Sequence, residues 1–331
     1  MKSRSFLVIF TIVVLSAVMG GCHHRPTYRI AQGGVWNTLY HITYSSDRDM
    51  SDSILAVMKR VEMSLSPFAK SSLISAINRG ESATTDTLLR RVFEESMRIN
   101  GLSHGAFDPT VSPLINLWGF GYTPGDDEPS QQAIDSLLAF VGIDGCRLTE
   151  QGEMLKKHPA TEFNFSAITK GYGCDLVGEM LRRNGIKNYL VEIGGEIVAR
   201  GMNPKGEAWR VQIDAPIESD TAPLHNQLAV ITVSNCAMAT SGNYRNFRET
   251  GAGKVWHTIS PVTGRPALTD LLSATVIAPE CITADALATS CMAMPADSAM
   301  AMIESIADAE ALLITADTVL TTKGFPIPKS F

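Results

Sequence analysis

Apolar positions recur along the chain at two spacings, and these predict its elements. From Thr38 to Tyr44 apolar and polar residues alternate, which predicts a strand. Over Ser51 to Ser64, Ile54, Leu55, Met58, Val61 and Met63 fall near helical spacing, so a helix follows that strand. Thr85 or Asp86 can cap a second helix carrying Leu88, Leu89, Val92, Phe93, Met97 and Ile99, with Gly101 placed to end it. Residues 130–141 read as a third helix, and further helices are expected over 168–184 and 283–305, the latter interrupted by Pro295. The run NYLVEIGGEIVAR at 188–200 sets β-formers on both sides of a glycine pair, and VITVS at 230–234 and ALLIT at 311–315 read as further strands. Strands and helices mix without a regular βαβ alternation. The expected class is therefore α+β, with mixed and largely antiparallel sheets and packed helices.

The N-terminus departs from these patterns. Lys2 and Arg4 precede an uncharged run from Phe6 to Met19, which ends at Gly20, Gly21 and Cys22. A bilayer-spanning helix needs about 20 apolar residues, so a removable export signal is the better reading. The small residues before Cys22 resemble a bacterial lipobox, in which the cysteine becomes the acylated first residue of the mature protein. Met19 stands where that motif usually has Leu, and a plain secretory signal is the alternative. This reading divides the chain into a signal at 1–21, a tether at 22–30 that includes His23 and His24, and one catalytic domain at 31–331. It expects a lipid-anchored protein of the cell envelope that faces the periplasm.

Composition narrows the function classes. The 331 residues carry a net charge of −6 and no basic run, which argues against nucleic-acid binding. The apolar fraction of 45% is that of a folded globular protein. Beyond Cys22 the cysteines are Cys146, Cys174, Cys236, Cys281 and Cys291, without a closely spaced pair, which argues against a zinc knuckle or a disulfide framework.

In several stretches, polar or glycine residues sit in apolar surroundings. In FDPTVSPLINLWGFG, 107–121, prolines restrict the backbone and hold Asp108 in a turn, where a core-wrapping loop with a capping Asp is the favoured reading of the stretch taken alone. In NFSAITKGYGCD, 164–175, Lys170 and Gly171 are expected in the first turn of a helix, whose free amides and positive dipole end suit a phosphate. The IGGEI stretch spans 193–197, and MATSGNYRNFRETGAGKVWHTISPVTGRP spans 238–266 and contains His257, a group able to exchange a proton near neutral pH. TADALATS, 283–290, places Asp285 and Thr289 four apart on one helical face, a carboxylate and a hydroxyl suited to Mg²⁺ rather than to a soft metal.

Taken in order, these stretches resemble the ApbE family of FAD:protein FMN transferases, from WNTLYHITY at 36–44 through SPFAKSSLISAIN at 66–78 to TADALATS. The resemblance implies a T-fold-related catalytic domain that binds FAD and Mg²⁺ and transfers FMN to a threonine of an acceptor protein, releasing AMP. It implies flavin or dinucleotide contacts at Trp36, Phe68, Ala106, Phe107, Asp108, Asn164, Lys170 and Ile259, and metal ligands at Asp285, Thr289 and the carbonyl of Ala167. His257 is the candidate proton acceptor. The acceptors implied are membrane redox subunits. Trp36 replaces the family's usual Met, Asn164 a frequent Asp, and Ser260 the Asp of an HIxDP stretch. Mg²⁺-dependent hydrolysis of FAD to FMN and AMP, and storage of FAD without chemistry, are the alternatives.

Overall fold

The computed structural model describes residues 27–121, 128–216, 227–243, 247–250 and 253–326. The expected signal segment, Cys22, and Tyr244 of the TSGNY stretch lie outside the described residues.

Strands β1 (Tyr28–Val35) and β2 (Thr38–Ser45) form a tight hairpin. Trp36 and Asn37 close it with φ of 48° and 60°, the left-handed pair that matches strand twist in a two-residue turn. Because Tyr28, Arg29 and Ile30 pair with Ser45, Tyr44 and Thr43, the expected tether ends sooner than residue 30. Helix α1 (Ser51–Leu65) follows, then α2 (Thr87–Leu102), whose N-cap Asp86 accepts the Leu89 amide at 2.8 Å. The predicted third helix spans Gln131–Leu138, shorter than expected. Helix α3 (Ser166–Arg183) leads into the hairpin of β3 (Tyr189–Ile193) and β4 (Glu196–Arg200), which turns on the glycine pair.

Strands β5 (Cys236–Gly242) and β6 (Leu271–Ala278) precede helices α4 (Cys281–Met292) and α5 (Ala296–Glu304), with Pro295 at the N-cap of α5. The interruption expected at Pro295 falls there because proline has no amide to donate and its ring crowds the preceding turn. Strands β7 (Glu310–Thr315) and β8 (Val319–Thr321) complete an 8-stranded sheet. Every neighbouring pair is antiparallel, and spatial order follows chain order from β1 to β8. The fold is α+β and largely antiparallel, as the patterning implies.

Strand alternation gives the sheet two apolar faces. On one, Ile42, Tyr44, Val191 and Val198 meet Ile54, Met58, Val177 and Leu181 of α1 and α3. Farther along that face Ala274, Val276 and Leu313 meet Leu287 of α4. On the other, Ile197, Ala199, Met238 and Leu312 are covered by Trp209, Val211 and Ile231 of a two-stranded ribbon, Trp209–Asp214 and Gln227–Val233. Among the described residues no helix is long and apolar enough to cross a membrane. Cys146, Cys174, Cys236, Cys281 and Cys291 are all free thiols, and all but Cys236 are buried.

Helix α4 is buried on every side except at Thr289. Small residues, Ala284, Ala286 and Ala288, let it nest between sheet and helices, and Asp175 of α3 pins its start by accepting the Cys281 and Ile282 amides at 2.9 and 2.8 Å. The two helices touch at Gly171, where a Cβ would lie 2.3 Å from the Cys281 carbonyl oxygen. Gly171→Ala is expected to force α3 and α4 apart and to destabilise the fold by about 1–3 kcal/mol, the usual cost of overpacking a core. A urea midpoint equal to that of the parent chain would show that the contact is not limiting.

Candidate functional site

Segments far apart in the chain border one cavity of about 1280 Å³, lined from β2, the 106–121 loop, α3, β3 and β4, the ribbon, β5, the 257–261 loop and α4. Sites for drug-sized ligands hold roughly 300–1,000 Å³, so this one admits a molecule of dinucleotide size.

The contact of α3 with α4 forms its charged end. Asp285 is 1% exposed. Its Oδ2 accepts the Gly171 amide at 2.9 Å, and its Oδ1 lies 3.7 Å from Lys170 Nζ. Lys170 is closer to a second buried carboxylate, Glu196, at 3.0 Å from Oε1. Burial alone would lower the Lys170 pKa, but Asp285 and Glu196 outweigh it and hold the ammonium above its ordinary value. Burial, which Lys170 offsets only in part, raises the carboxyls of Glu196 and Asp285.

One helical turn after Asp285, the Thr289 hydroxyl lies 3.5 Å from the Ala167 carbonyl and 3.4 Å from Ser241 Oγ. Both contacts are long for hydrogen bonds between oxygens, so neither commits the hydroxyl strongly. Ala167 is also the residue four before Gly171, and a carbonyl has two lone pairs, so one remains for a ligand beyond the helical ladder. Among the described residues no group of three His, Cys, Asp or Glu could hold a metal ion. A cation here would be held by one carboxylate, one hydroxyl and one carbonyl, a hard oxygen set that fits Mg²⁺ and leaves positions for phosphate oxygens.

Most of the other expected residues line the same cavity: Phe68, Ala106, Phe107, Asp108, Asn164, His257 and Ile259. Asp108 spends both oxygens on the fold. Its Oδ1 accepts the Thr110 amide at 2.8 Å and hydroxyl at 2.6 Å, and its Oδ2 accepts the Ile143 amide at 2.9 Å. Asp108 therefore shapes the wall and offers a ligand its backbone more than its charge. His257 sits edge-on to Phe120, ring centroids 6.5 Å apart, beside a turn in which the Ser260 amide donates to the Arg265 carbonyl at 2.8 Å.

The sequence profile of the ApbE family matches residues 36–313. The chain belongs to the ApbE family. The FAD:protein FMN transferase of Vibrio cholerae is 36% identical over 91% of this chain and 91% of its own length. The FAD:protein FMN transferase of Escherichia coli K12 is 32% identical over 89% of this chain and 90% of its own length. The solved flavin transferase ApbE from Vibrio cholerae superposes with a TM-score of 0.79 at 32% identity, covering 90% of this chain and 97% of that structure.

The departures from the ApbE family pattern acquire physical explanations here. Asn164 is a neutral turn residue, its Oδ1 accepting the Ser166 amide at 3.0 Å. Ser260 accepts the Thr263 amide through Oγ at 3.3 Å, so a hydroxyl braces the loop that presents His257 and Ile259. Trp36 does not join the cavity, whose lining on that hairpin begins at Asn37. Its indole packs on α3, reaching within 2.6 Å of where a Cβ on Gly173 would stand. Large and flat, the ring packs partly buried against the core. Lys170 lies in the second turn of α3, not the first, because the helix already starts at Ser166; it can meet a phosphate with its ammonium, not with a free helix-end amide. Sequence reasoning marked the IGGEI and TSGNY stretches but named neither Glu196 nor Ser241 as a site residue. The only signal for Glu196 was a charge among β-formers directly after the glycine pair.

Glu95 of α2 anchors the start of α4, accepting the Thr283 hydroxyl at 2.6 Å and pairing with Arg98 at 2.5 Å and Arg91 at 3.0 Å. Burial pushes its carboxyl up, but Arg98, Thr283 and Arg91 outweigh burial and hold it below its ordinary value of 4.5. A depressed folded-state pKa contributes stability that is present above the unfolded value and lost as pH falls through the folded one. Glu95→Gln is expected to cost about 1–3 kcal/mol at neutral pH and to flatten the loss of stability below pH 4.5. Urea unfolding across that pH range measures both, and an unchanged acid limb would disprove the linkage.

Proposed function

We propose that this chain moves the FMN moiety of FAD onto a threonine hydroxyl of an acceptor protein in a Mg²⁺-dependent reaction that releases AMP. Membership of the ApbE family supports the transfer. The observation that carries the reading is the convergence of Asp285, Thr289, the Ala167 carbonyl and Lys170 at one end of a cavity of dinucleotide size.

Attack of the threonine oxygen on the FMN phosphorus forms one P–O bond and breaks the one to AMP, so the demand is for positioning and charge neutralisation. Mg²⁺, held by Asp285, Thr289 and the Ala167 carbonyl, would withdraw charge from the diphosphate. Lys170 contributes a point charge from the side. Phe107 and Ile259, both buried, present apolar wall to a flat ring, and Phe68, exposed at 63%, adds an aromatic ring to the cavity lining. His257 takes the proton released by the hydroxyl, a role suited to an imidazole near neutral pH. Residues 1–21 and Cys22 support a lipid anchor facing the periplasm, which would confine the enzyme near membrane redox subunits as acceptors.

Incubation with FAD, Mg²⁺ and a threonine-bearing acceptor domain is expected to add one FMN to the acceptor by intact mass. Asp285→Asn should lower transfer by roughly 100-fold, the upper range for loss of support at a metal site. His257→Ala should slow it by about 10²-fold or more while FAD still binds. Free FMN and AMP with an unmodified acceptor would make the chain a hydrolase. Intact FAD retained throughout would make it a carrier.

A further inference from the structure

Lys170 faces two buried carboxylates and lies nearer the one not yet given a role, 3.0 Å from Glu196 against 3.7 Å from Asp285. An ammonium is a compact point charge, so what it gives to one carboxylate it withholds from the other. Glu196 is set by backbone: it follows Gly194 and Gly195, at φ of 65° and 101°, and pairs with Ile193 across the hairpin. A Cβ on Gly194 would come within 3.2 Å of Lys170 Cδ, so the bare turn leaves the slot through which the lysine stem passes. The Glu196 carboxylate is 4% exposed and its Oε2 has no hydrogen-bond partner, so water does not weaken its hold on Lys170.

Resting on the FAD and Mg²⁺ reading above, we infer that Glu196 is a positioning residue that draws Lys170 away from Asp285 and so leaves the Asp285 carboxylate to a divalent cation. Without Glu196, Lys170 closes the remaining gap to Asp285 Oδ1, and a cation must displace an ion pair before it binds. Glu196 therefore acts on metal affinity through the lysine and need not touch the reacting atoms.

The test titrates Mg²⁺ into the full chain at fixed FAD and reads quenching of flavin fluorescence on binding. E196Q, isosteric and uncharged, is expected to raise the half-saturating Mg²⁺ concentration roughly tenfold, the scale of one ion pair in a partly screened site, with full quenching restored at high Mg²⁺. E196D keeps the charge but withdraws it by one methylene, so it should shift the midpoint in the same direction by less. In a K170M background, E196Q should add little, because the competitor is gone. A wild-type midpoint in E196Q or E196D overturns the inference, as does an equal shift with and without Lys170, which would mean that Glu196 acts only through its field. A parent chain that never quenches flavin fluorescence would instead defeat the FAD reading itself.

Discussion

A carboxylate buried in the middle of an apolar helix has to be compensated where it stands, and much of the surrounding architecture follows from that constraint. Removing an ion from water costs several kcal/mol even after relaxation. Asp285 meets that cost with the Gly171 amide on one oxygen and Lys170 near the other. The amide reaches it only because Gly171 has no side chain, which lets α3 and α4 approach until a Cβ would collide with the Cys281 carbonyl. The same approach brings the Ala167 carbonyl to Thr289. Helix packing and the cluster of oxygen atoms are therefore one arrangement, and a change that opens the helix pair also disperses that cluster.

The sheet supplies a frame that such a site needs. Its strands follow chain order, so the frame is a simple meander, and the site is built from what the chain inserts between neighbouring strands. The stretch between β2 and β3 contributes α3 and the Asp108 wall, the loop between β5 and β6 brings His257, and that between β6 and β7 brings α4. Groups that would handle phosphate stand on rigid helices and strands, whereas His257 and Phe68 stand on loops that can adjust to two different substrates. Such a division suits a transfer in which one ligand is gripped and an acceptor protein arrives.

Charge is arranged with similar economy. Lys170 is shared by two buried acidic side chains, Glu196 and Asp285. Farther out, Glu95 with Arg91 and Arg98 ties α2 to the first turn of α4, and Asp175 caps that turn from α3. The helix that carries Asp285 is thus held at its start by two independent polar contacts in addition to its apolar packing.

What the amino-acid order determined by itself is what depends on nearby residues. Period-two and period-3.6 patterning located β2, α1, α2, α3 and the β3–β4 hairpin, and the four-residue spacing of Asp285 and Thr289 placed them on one face, because helical geometry is a local property. Family resemblance extended this to residues that line one cavity, His257 and Lys170 among them. Only the tertiary structure decided that Lys170 is shared with Glu196, that Asp108 spends its carboxylate on Thr110 and Ile143, and that Trp36 packs against Gly173. Apart from the local Asp108–Thr110 turn, those outcomes pair residues tens of positions apart or more, and the side chain each meets is set by sheet order and helix approach, which no local spacing encodes.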